Sequence, residues 1–232
     1  SQATASLKRR FLAELIDAGA WPGAPGGSPE AVSRVLQARK ARGDKVYTGA
    51  YVVPAPHDQG ADKQSYVAQV VVGDLWRRSG HFARWFEGLA RAPTLQGTHE
   101  SIRASPGWGM FLAYQAVVDM RFCPALLQSA PDRDTWAAAG PGTLRGLHRL
   151  HGRELTARVS QAQALTEMRA IYELAEAKTG VAMDFSDVPN ILCETDKYLR
   201  VALGQGKPRA RYVSGRRSCA ASSAPSARRR AA

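Results

Sequence analysis

The sequence predicts a mostly α-helical protein, and three observations support this fold class. Apolar residues recur at three- and four-residue intervals, the spacing of one helix face, through most of the chain. Residues that commonly cap helices precede several of these stretches. The alternation of strands and helices that is typical of a parallel sheet is missing. With 232 residues, 44% of them hydrophobic, the chain can bury a substantial core, so we expect a helical domain over residues 1–206.

Five helices are predicted ahead of residue 105. They cover residues 5–18, 29–42, 63–78, 81–91 and 98–104. Ser28 and Asp62 are the predicted caps of the second and third helices, because their side-chain oxygens can accept hydrogen bonds from the free amides of the first turn. Residues 46–53 are predicted to be a short extended segment, since aromatic and β-branched residues lie close together there.

Four more helices are predicted in the second half of the chain. They cover residues 109–122, a stretch that follows the turn at residues 140–142, residues 161–178 and residues 187–203. Ser160 and Gly180 are the expected start and stop signals of the third of these helices. In the last helix the residues predicted to face the core are Val188, Ile191, Leu192, Leu199 and Leu203.

Two glycine-rich turns are the predicted DNA-binding features. Pro-Gly-Trp-Gly at residues 106–109 opens directly into an apolar helix, and Gly-Pro-Gly at residues 140–142 precedes another helix. Amides at a helix start can hold an anion such as a DNA phosphate. The residues assigned to this grip are Gly107, Trp108, Gly109, Gly140, Gly142 and Arg145. The alternative is that the glycines only satisfy the geometry of short turns.

Two polar residues, Gln115 and Asp119, lie on one face of the apolar helix after the first turn. Apolar surroundings raise the pKa of a carboxylate toward useful basicity, so Asp119 is the first candidate for a general base. The alternative for Asp119 is a buried cap or an ion pair with Arg121 or Arg145. Gln115 is assigned to substrate binding.

A basic and aromatic cluster follows the second predicted helix. Arg39 and Tyr47 represent it, and such residues suit phosphate contact and base stacking. The alternative is that cations simply favour the C-terminal end of a helix.

The positive charge is concentrated near the C-terminus. The chain has a formal net charge of +12, and residues 207–232 hold eight basic and no acidic residues, which leaves +4, the difference between 12 and 8, for residues 1–206. This segment is rich in Ser, Ala, Arg and Pro, so we expect a disordered tail that tethers the protein to a polyanion. The alternative is a solubilising tail without a partner.

Composition argues against several other classes of protein. The cysteines are widely separated and predict neither a disulfide framework nor a zinc site: Cys123, Cys193 and Cys219. No stretch has the apolar length of a membrane span, and residues 1–10 lack the apolar core of a signal peptide. We therefore expect a monomer without a metal centre in the cytoplasm, or in the host cytoplasm if a phage encodes the protein.

A longer pattern resembles a known family. Pro-Gly-x-Gly-x-Phe-x-Ala-Tyr-Gln at residues 106–115 is followed by Asp119, by a Trp before the second glycine turn, by Arg-Gly-Leu at residues 145–147, and by Leu-Cys-Glu-x-x-Lys-Tyr-x-Arg at residues 192–200. Together, over roughly residues 30–205, these motifs resemble alpha-glutamyl/putrescinyl thymine pyrophosphorylases, which are related to DNA glycosylases. The first turn also resembles the hairpin of helix-hairpin-helix DNA glycosylases, where a catalytic Asp follows some twenty-odd residues later.

The resemblance implies chemistry on a modified thymine in double-stranded DNA. A 5-hydroxymethyluracil base, activated as its pyrophosphate ester, loses pyrophosphate while an amino acid or another small amine joins its 5-methylene carbon. A flipped base, a general base and cations near the leaving group would be required. A divalent cation can accompany the pyrophosphate, although no carboxylate cluster commits to one.

The same resemblance implies roles for further residues. The implied catalytic residues are Asp119, Asp132, Asp134 and Glu194. The implied substrate-binding residues, beside Gln115, are Tyr114, Lys197, Tyr198 and Arg200. Surface ion pairs are the alternative for the charged residues among 194–200, and surface turns are the alternative for Asp132 and Asp134.

Two other functions remain open at this stage. A DNA glycosylase would use Asp119, Asp132 or Asp134 to stabilise an oxocarbenium-like state, and the lack of any Lys between Lys63 and Lys178 argues against the lyase type. A DNA-binding protein without catalysis would need only the glycine turns and the tail.

Overall fold

The computed structural model describes residues 2–21, 24, 27–47, 62–78, 87–88 and 94–207. All regular secondary structure within these residues is helical, which confirms the predicted fold class. In chain order the elements are α1 (Gln2–Asp17), α2 (Pro29–Ala41), α3 (Lys63–Ser65), a π-helix (Tyr66–Val72), α4 (Gly73–Arg78), α5 (Leu95–Arg103), α6 (Met110–Met120), α7 (Pro141–Leu150), α8 (Gln161–Thr179) and α9 (Asp187–Ala202).

Capping residues set several of the helix boundaries. Ser28, Asp62 and Ser160 each accept a hydrogen bond from an amide in the turn that follows them. Gly180 has a left-handed backbone conformation and ends α8. These contacts confirm the predicted helix starts and the predicted stop. The predictions for residues 48–53, for most of residues 81–91 and for the tail beyond Lys207 lie outside the described residues.

Buried apolar residues form three clusters. One lies between α6, α7, α8 and α9 and includes Tyr114, Leu147, Met168, Phe185 and Val188. A second joins α1, α2 and the π-helix through Leu15, Val32, Leu36 and Ala68. The third packs α5 against α6 through Leu95, Ile102, Ala113 and Val117. Helix α6 therefore contributes to two clusters, one on each side of it.

The predicted core face of the last helix is only partly correct. Val188 and Leu192 of α9 are buried. Ile191 and Leu203 are 47% and 60% exposed, so the prediction that they face the core is wrong. Leu203 lies beyond the last helical residue, and Ile191 lies on the side of α9 that turns away from α7.

Helices α7 and α9 approach each other closely because two glycines of α7 face α9. A Cβ atom on Gly146 would lie 2.5 Å from the carbonyl oxygen of Leu192, and one on Gly142 would lie 2.5 Å from Cys193 Sγ. Neither position has room for a side chain. The two helices are thus held with their N-terminal turns side by side.

The hairpin at residues 106–109 is fixed to the π-helix. Gly107 has a φ of +79°, and a Cβ there would lie 2.5 Å from Val71 Cγ2. The Trp108 indole Nε1 donates a hydrogen bond to the Val71 carbonyl oxygen at 2.8 Å. A π-helix is often found at functional sites, and here it supports the turn that opens α6.

Replacing Gly107 by alanine should lower the free energy of unfolding by about 2 kcal/mol, because the left-handed conformation and the contact with Val71 both oppose a side chain. Gly43 is a matched control, since its φ is +75° but nothing lies within 4 Å of the new Cβ. Urea unfolding of both variants separates the cost of the left-handed conformation, which both share, from the cost of the contact with Val71, which only Gly107→Ala has. Equal losses for Gly107→Ala and Gly43→Ala would contradict the close packing of the hairpin on Val71.

Candidate functional site

The first turns of three helices meet around one small pocket. Its lining residues are Met110, Phe111, Tyr114 and Gln115 of α6, residues 141–143 of α7, Pro189, Asn190 and Cys193 of α9, and Ala138 and Gly140 ahead of α7. The cavity volume is ≈ 30 Å³, which is room for about one water molecule. Both glycine turns of the sequence therefore lead to the same place, since Gly109 and Gly140 are the caps of α6 and α7.

The pocket has a mainly apolar lining, and two of the helices that border it begin without a side-chain cap. Gly109 and Gly140 have extended backbones and cannot offer side-chain oxygens to the amides of the first turns of α6 and α7. The start of α9 differs, because the amides of Asp187 and Val188 donate to the carbonyl oxygens of Asp184 and Phe185, and Pro189 has no N–H. Helix N-termini carry partial positive charge, so the starts of α6 and α7 favour an anion. No charged side chain is among the residues that line the pocket in the described part of the chain.

An aromatic wall supports the pocket from the core side. The buried Tyr114 hydroxyl donates to the Ser186 carbonyl oxygen at 3.3 Å, and burial raises the pKa of Tyr114 well above its ordinary value. His99 and Trp136 pack against the Tyr114 ring. Tyr114 was predicted to bind substrate, and the structure places it both at the pocket and in the core.

His99 is a buried residue of this wall that sequence reasoning missed. Its Nε2 atom lies 3.0 Å from the carbonyl oxygen of Met110, the first residue of α6. Burial lowers the pKa of His99 below 6.5, so the neutral imidazole donates this bond from Nε2. A histidine in the middle of a short helix gives no sequence signal that distinguishes such a contact from an exposed one.

The low pKa of His99 predicts acid sensitivity of the fold. Below about pH 6.5 the unfolded chain binds a proton on His99 that the folded protein does not, so the stability contributed by this residue is full above that pH and falls as the pH decreases. We expect His99→Gln to flatten the dependence of the unfolding free energy on pH between about 7.5 and 5.5. Urea unfolding at several pH values gives this pH dependence for both proteins. If the unfolding free energy of His99→Gln changes with pH as steeply as that of the original protein, the role of His99 is contradicted.

Asp119 is exposed, and the prediction that apolar surroundings bury it is wrong. Both alternative partners are engaged elsewhere, since Arg121 pairs with Asp184 and Arg145 pairs with Asp196. The Asp119 side chain makes no hydrogen bond or ion pair with another described residue. It lies one helical turn beyond Gln115, which lines the pocket, so Asp119 is at the rim.

The residues predicted on α9 follow the pocket-lining part of that helix. Glu194 follows the pocket-lining Asn190 by one turn, and its carboxylate accepts a hydrogen bond from Lys197 Nζ at 2.6 Å. Both side chains are exposed, as is Tyr198. The surface ion pair weighed as an alternative is therefore present. Arg200 is half-buried, and its Nε atom has no hydrogen-bond partner among the described residues.

A buried ion-pair cluster lies along the seam between α7 and α9. Asp196 accepts hydrogen bonds from Arg145 Nε at 3.0 Å and from Arg149 Nε at 2.7 Å. Burial alone would raise the pKa of Asp196, but the hydrogen bonds and charges of the two arginines outweigh it and lower the pKa below its usual range. We refer to Arg145, Asp196 and Arg149 as the Asp196 cluster. Arg145 was predicted to bind DNA, whereas Asp196 and Arg149 were not assigned from the sequence.

A family model described as "5-hmdU DNA kinase, helical domain" matches residues 11–208. The chain belongs to this family. The family links this helical domain to modification of 5-hydroxymethyluracil in DNA, which agrees with the base named by the sequence resemblance. It does not extend to the pyrophosphorylase chemistry of that resemblance. No curated protein and no solved structure matches the chain.

Asp132 has a structural position in the helical domain. Its two carboxylate oxygens accept hydrogen bonds from the amides of Leu95 at 2.7 Å and Gln96 at 2.9 Å, so it caps the start of α5. Asp132 therefore has a structural role at the start of α5, and its catalytic role stays a prediction. Asp134 is exposed on the loop after it, and neither residue lines the pocket.

Arg39 and Tyr47 both form hydrogen bonds within the protein. Arg39 is buried, pairs with Glu14 and donates to the Lys45 carbonyl oxygen at 3.1 Å. Tyr47 donates to the Lys63 carbonyl oxygen at 3.4 Å, and burial raises the pKa of Tyr47 to about 12. Arg39 could reach a DNA phosphate only if these contacts broke, and its substrate-binding role stays a prediction.

Trp108 was predicted to contact DNA, but its side chain already forms a hydrogen bond within the protein. Its indole N–H is used by Val71, so it anchors the hairpin and has no donor left for DNA. Gly109 remains exposed beside the start of α6. Of the first glycine turn, the exposed backbone is the part that can still reach a phosphate.

The described residues offer neither a metal-binding cluster nor a membrane-spanning helix. No group of three or more His, Cys, Asp and Glu side chains there is arranged to hold a metal ion. None of the described helices is both long and apolar enough to cross a bilayer.

Proposed function

We propose that this helical domain binds DNA containing a pyrophosphorylated 5-hydroxymethyluracil and replaces the pyrophosphate with an amine. One observation carries the proposal: in a chain of a 5-hmdU DNA kinase family, the uncapped starts of α6 and α7 border one pocket together with the first turn of α9. Backbone amides there can stabilise the charge that develops on a departing pyrophosphate. An amino acid is the expected amine.

The reaction is a substitution at the 5-methylene carbon of the base. The amine nitrogen attacks that carbon, the bond between the carbon and the ester oxygen breaks, and pyrophosphate leaves with the electron pair. A carboxylate at the rim accepts the proton that the nitrogen loses. Asp119 and Glu194 stand one turn from pocket residues and are the candidates, with Asp119 favoured because Lys197 occupies Glu194.

Recognition of the base is assigned to the pocket. A flipped pyrimidine is larger than the cavity, so the side chains at its mouth, Met110 and Phe111, must move apart when the base enters. The Gln115 amide can then form hydrogen bonds with the polar edge of the uracil ring. Gly109 and Gly140 leave room for the DNA backbone beside the two helix starts.

A DNA-binding unit without chemistry of its own is the second candidate. It is favoured by the absence of any carboxylate among the described residues that line the pocket. The printed sequence also contains no G-x-x-x-x-G-K-[ST] phosphate loop, so phosphoryl transfer of that type would need residues outside this chain.

One experiment separates these functions. The protein is incubated with duplex DNA carrying the pyrophosphorylated base and a pool of amino acids, and the DNA is digested to nucleosides for mass spectrometry. A new amino acid adduct with free pyrophosphate supports the transferase. An abasic site identifies a glycosylase, and unchanged DNA that is still bound identifies the binding unit; either result overturns the transferase proposal. A parallel reaction with plain 5-hydroxymethyluracil DNA is the control.

A further inference from the structure

The Asp196 cluster carries an excess of positive charge in a partly buried position. Its single carboxylate is 5% exposed and binds two arginines, of which Arg149 is 9% exposed. The three groups together have a net charge of +1. A charge with restricted access to water is costly unless an opposite charge is near, so such a cluster favours an additional anion.

A second cluster of similar composition differs in this respect. Asp184 pairs with Arg121 and Arg133, but the carboxylate of Asp187 accepts a hydrogen bond from the Asp184 amide and adds a second negative charge. That cluster is therefore neutral. In addition, Arg133 uses Nε and both terminal nitrogens for bonds to Asp184 and to the Gln128 carbonyl oxygen. Every nitrogen of its guanidinium is thus already bonded to the protein, whereas Arg145 is bonded through Nε alone.

Arg145, in contrast, is held by one nitrogen and keeps the others available. It donates to Asp196 through Nε only, and its two terminal nitrogens make no hydrogen bond with a described residue. The side chain is 36% exposed. The two terminal N–H groups of a guanidinium whose orientation is fixed match two oxygens of a phosphate group.

The cluster lies next to the pocket. Arg145 follows the pocket residue Gly142 by three positions on α7, and Asp196 follows the pocket residue Cys193 by three positions on α9. Residues three apart on a helix lie on the same side, one turn along. The Cβ position of Arg145 is therefore about one helical turn, roughly 5–6 Å, beyond the pocket lining.

We infer that the Asp196 cluster is a phosphate-binding site at the edge of the pocket, in which Arg145 contacts the phosphate oxygens and Asp196 is a positioning residue. The phosphate belongs either to the DNA backbone or to the pyrophosphate ester on the base. The choice of DNA as the ligand rests on the proposed function, whereas the transfer reaction itself is not required.

The first test compares Arg145→Gln with Arg133→Gln as the matched control. DNA affinity of the full chain is measured by fluorescence anisotropy at several salt concentrations, without amino acids, on duplexes with plain thymine and with the pyrophosphorylated base. Arg145→Gln should weaken binding about tenfold and reduce the salt slope by about 1. A loss on both duplexes identifies a backbone phosphate, and a loss on the modified duplex alone identifies the ester. No loss on either duplex, or an equal loss for Arg133→Gln, overturns the inference.

The second test uses the sign of a charge change at Asp196. Asp196→Asn removes a negative charge, so unspecific attraction alone would strengthen DNA binding. If Asp196 positions Arg145, the variant should bind severalfold more weakly instead, and tighter binding would contradict the positioning role. Arg145→Lys keeps the charge but loses the planar pair of donors, and it should retain the salt slope while losing affinity. Because the Arg145 side chain is 36% exposed, Arg145→Lys should fold, and it tests the inference even if Asp196→Asn does not fold.

The two proposals fail in distinguishable ways. If Arg145→Gln loses phosphate binding and the original protein forms no adduct in the nucleoside assay, the phosphate site is supported and the transferase is rejected. An adduct formed equally well by Arg145→Gln, with unchanged DNA affinity, rejects the phosphate site and leaves the transferase intact.

Discussion

Replacing Gly146 by alanine should lower the free energy of unfolding by about 3 kcal/mol. The new Cβ would lie 2.5 Å from the carbonyl oxygen and 2.9 Å from the carbonyl carbon of Leu192. These atoms belong to the backbone of α9 and cannot rotate away as a side chain can. Alanine is otherwise favoured over glycine in a helix interior by up to about 1 kcal/mol, so a loss of stability can come only from the contact between the helices.

Gly140→Ala is the control for this prediction. Gly140 is the cap of α7, has a φ of −74° and has nothing within 4 Å of a new Cβ, so its replacement should cost less than about 1 kcal/mol. Urea unfolding followed by circular dichroism gives both values. If Gly146→Ala is as stable as the original protein, α7 and α9 do not pack as closely as described, and the pocket between them would have a different shape.

The same contact links stability to function. Gly142 and Gly146 allow the first turns of α7 and α9 to lie side by side, and these turns form two of the three walls of the pocket. A helix displaced by a new side chain would move the amides that face the pocket. We therefore expect substitutions at these two glycines to weaken binding of modified DNA even where the protein still folds.

Local signals in the sequence predicted the helices well, because caps and helical spacing involve only neighbouring residues. Ser28, Asp62 and Ser160 each cap the helix that was expected to follow. The rotation of a helix depends on its partners, and α6 illustrates this. It packs on two clusters at once and is apolar on both sides, so its apolar sequence did not reveal that Asp119 occupies the remaining exposed face.

The site could be predicted only in part because its contacts join distant positions. Of the residues singled out from the sequence, Gln115, Gly140 and Gly142 line one pocket, and the first glycine turn opens the helix that forms one of its sides. Asp196, however, binds arginines 51 and 47 positions earlier in the chain. No local pattern distinguishes it from a surface acid, and the same holds for Asp132, whose partners lie 37 and 36 positions away.

Asp119→Asn should reduce the rate of amine transfer by about 10²–10⁴-fold, the usual contribution of a general base. The reason differs from the one that the sequence suggested. Asp119 is exposed at the rim of the pocket and is not engaged by another described side chain, so an incoming amine can reach it. Asparagine has nearly the same shape but cannot accept the proton. DNA affinity should change less than about twofold, because only one surface charge is altered.

Two further variants test the assignment of the base. Glu194→Gln should reduce the rate by less than about tenfold, because Lys197 already holds that carboxylate at 2.6 Å and an amine would have to displace it. Glu173→Gln changes an exposed carboxylate of α8 that does not line the pocket and should leave the rate unchanged. The measurement is single-turnover formation of the adduct at saturating DNA. A large loss in Glu194→Gln with a normal rate in Asp119→Asn would move the general base from α6 to α9.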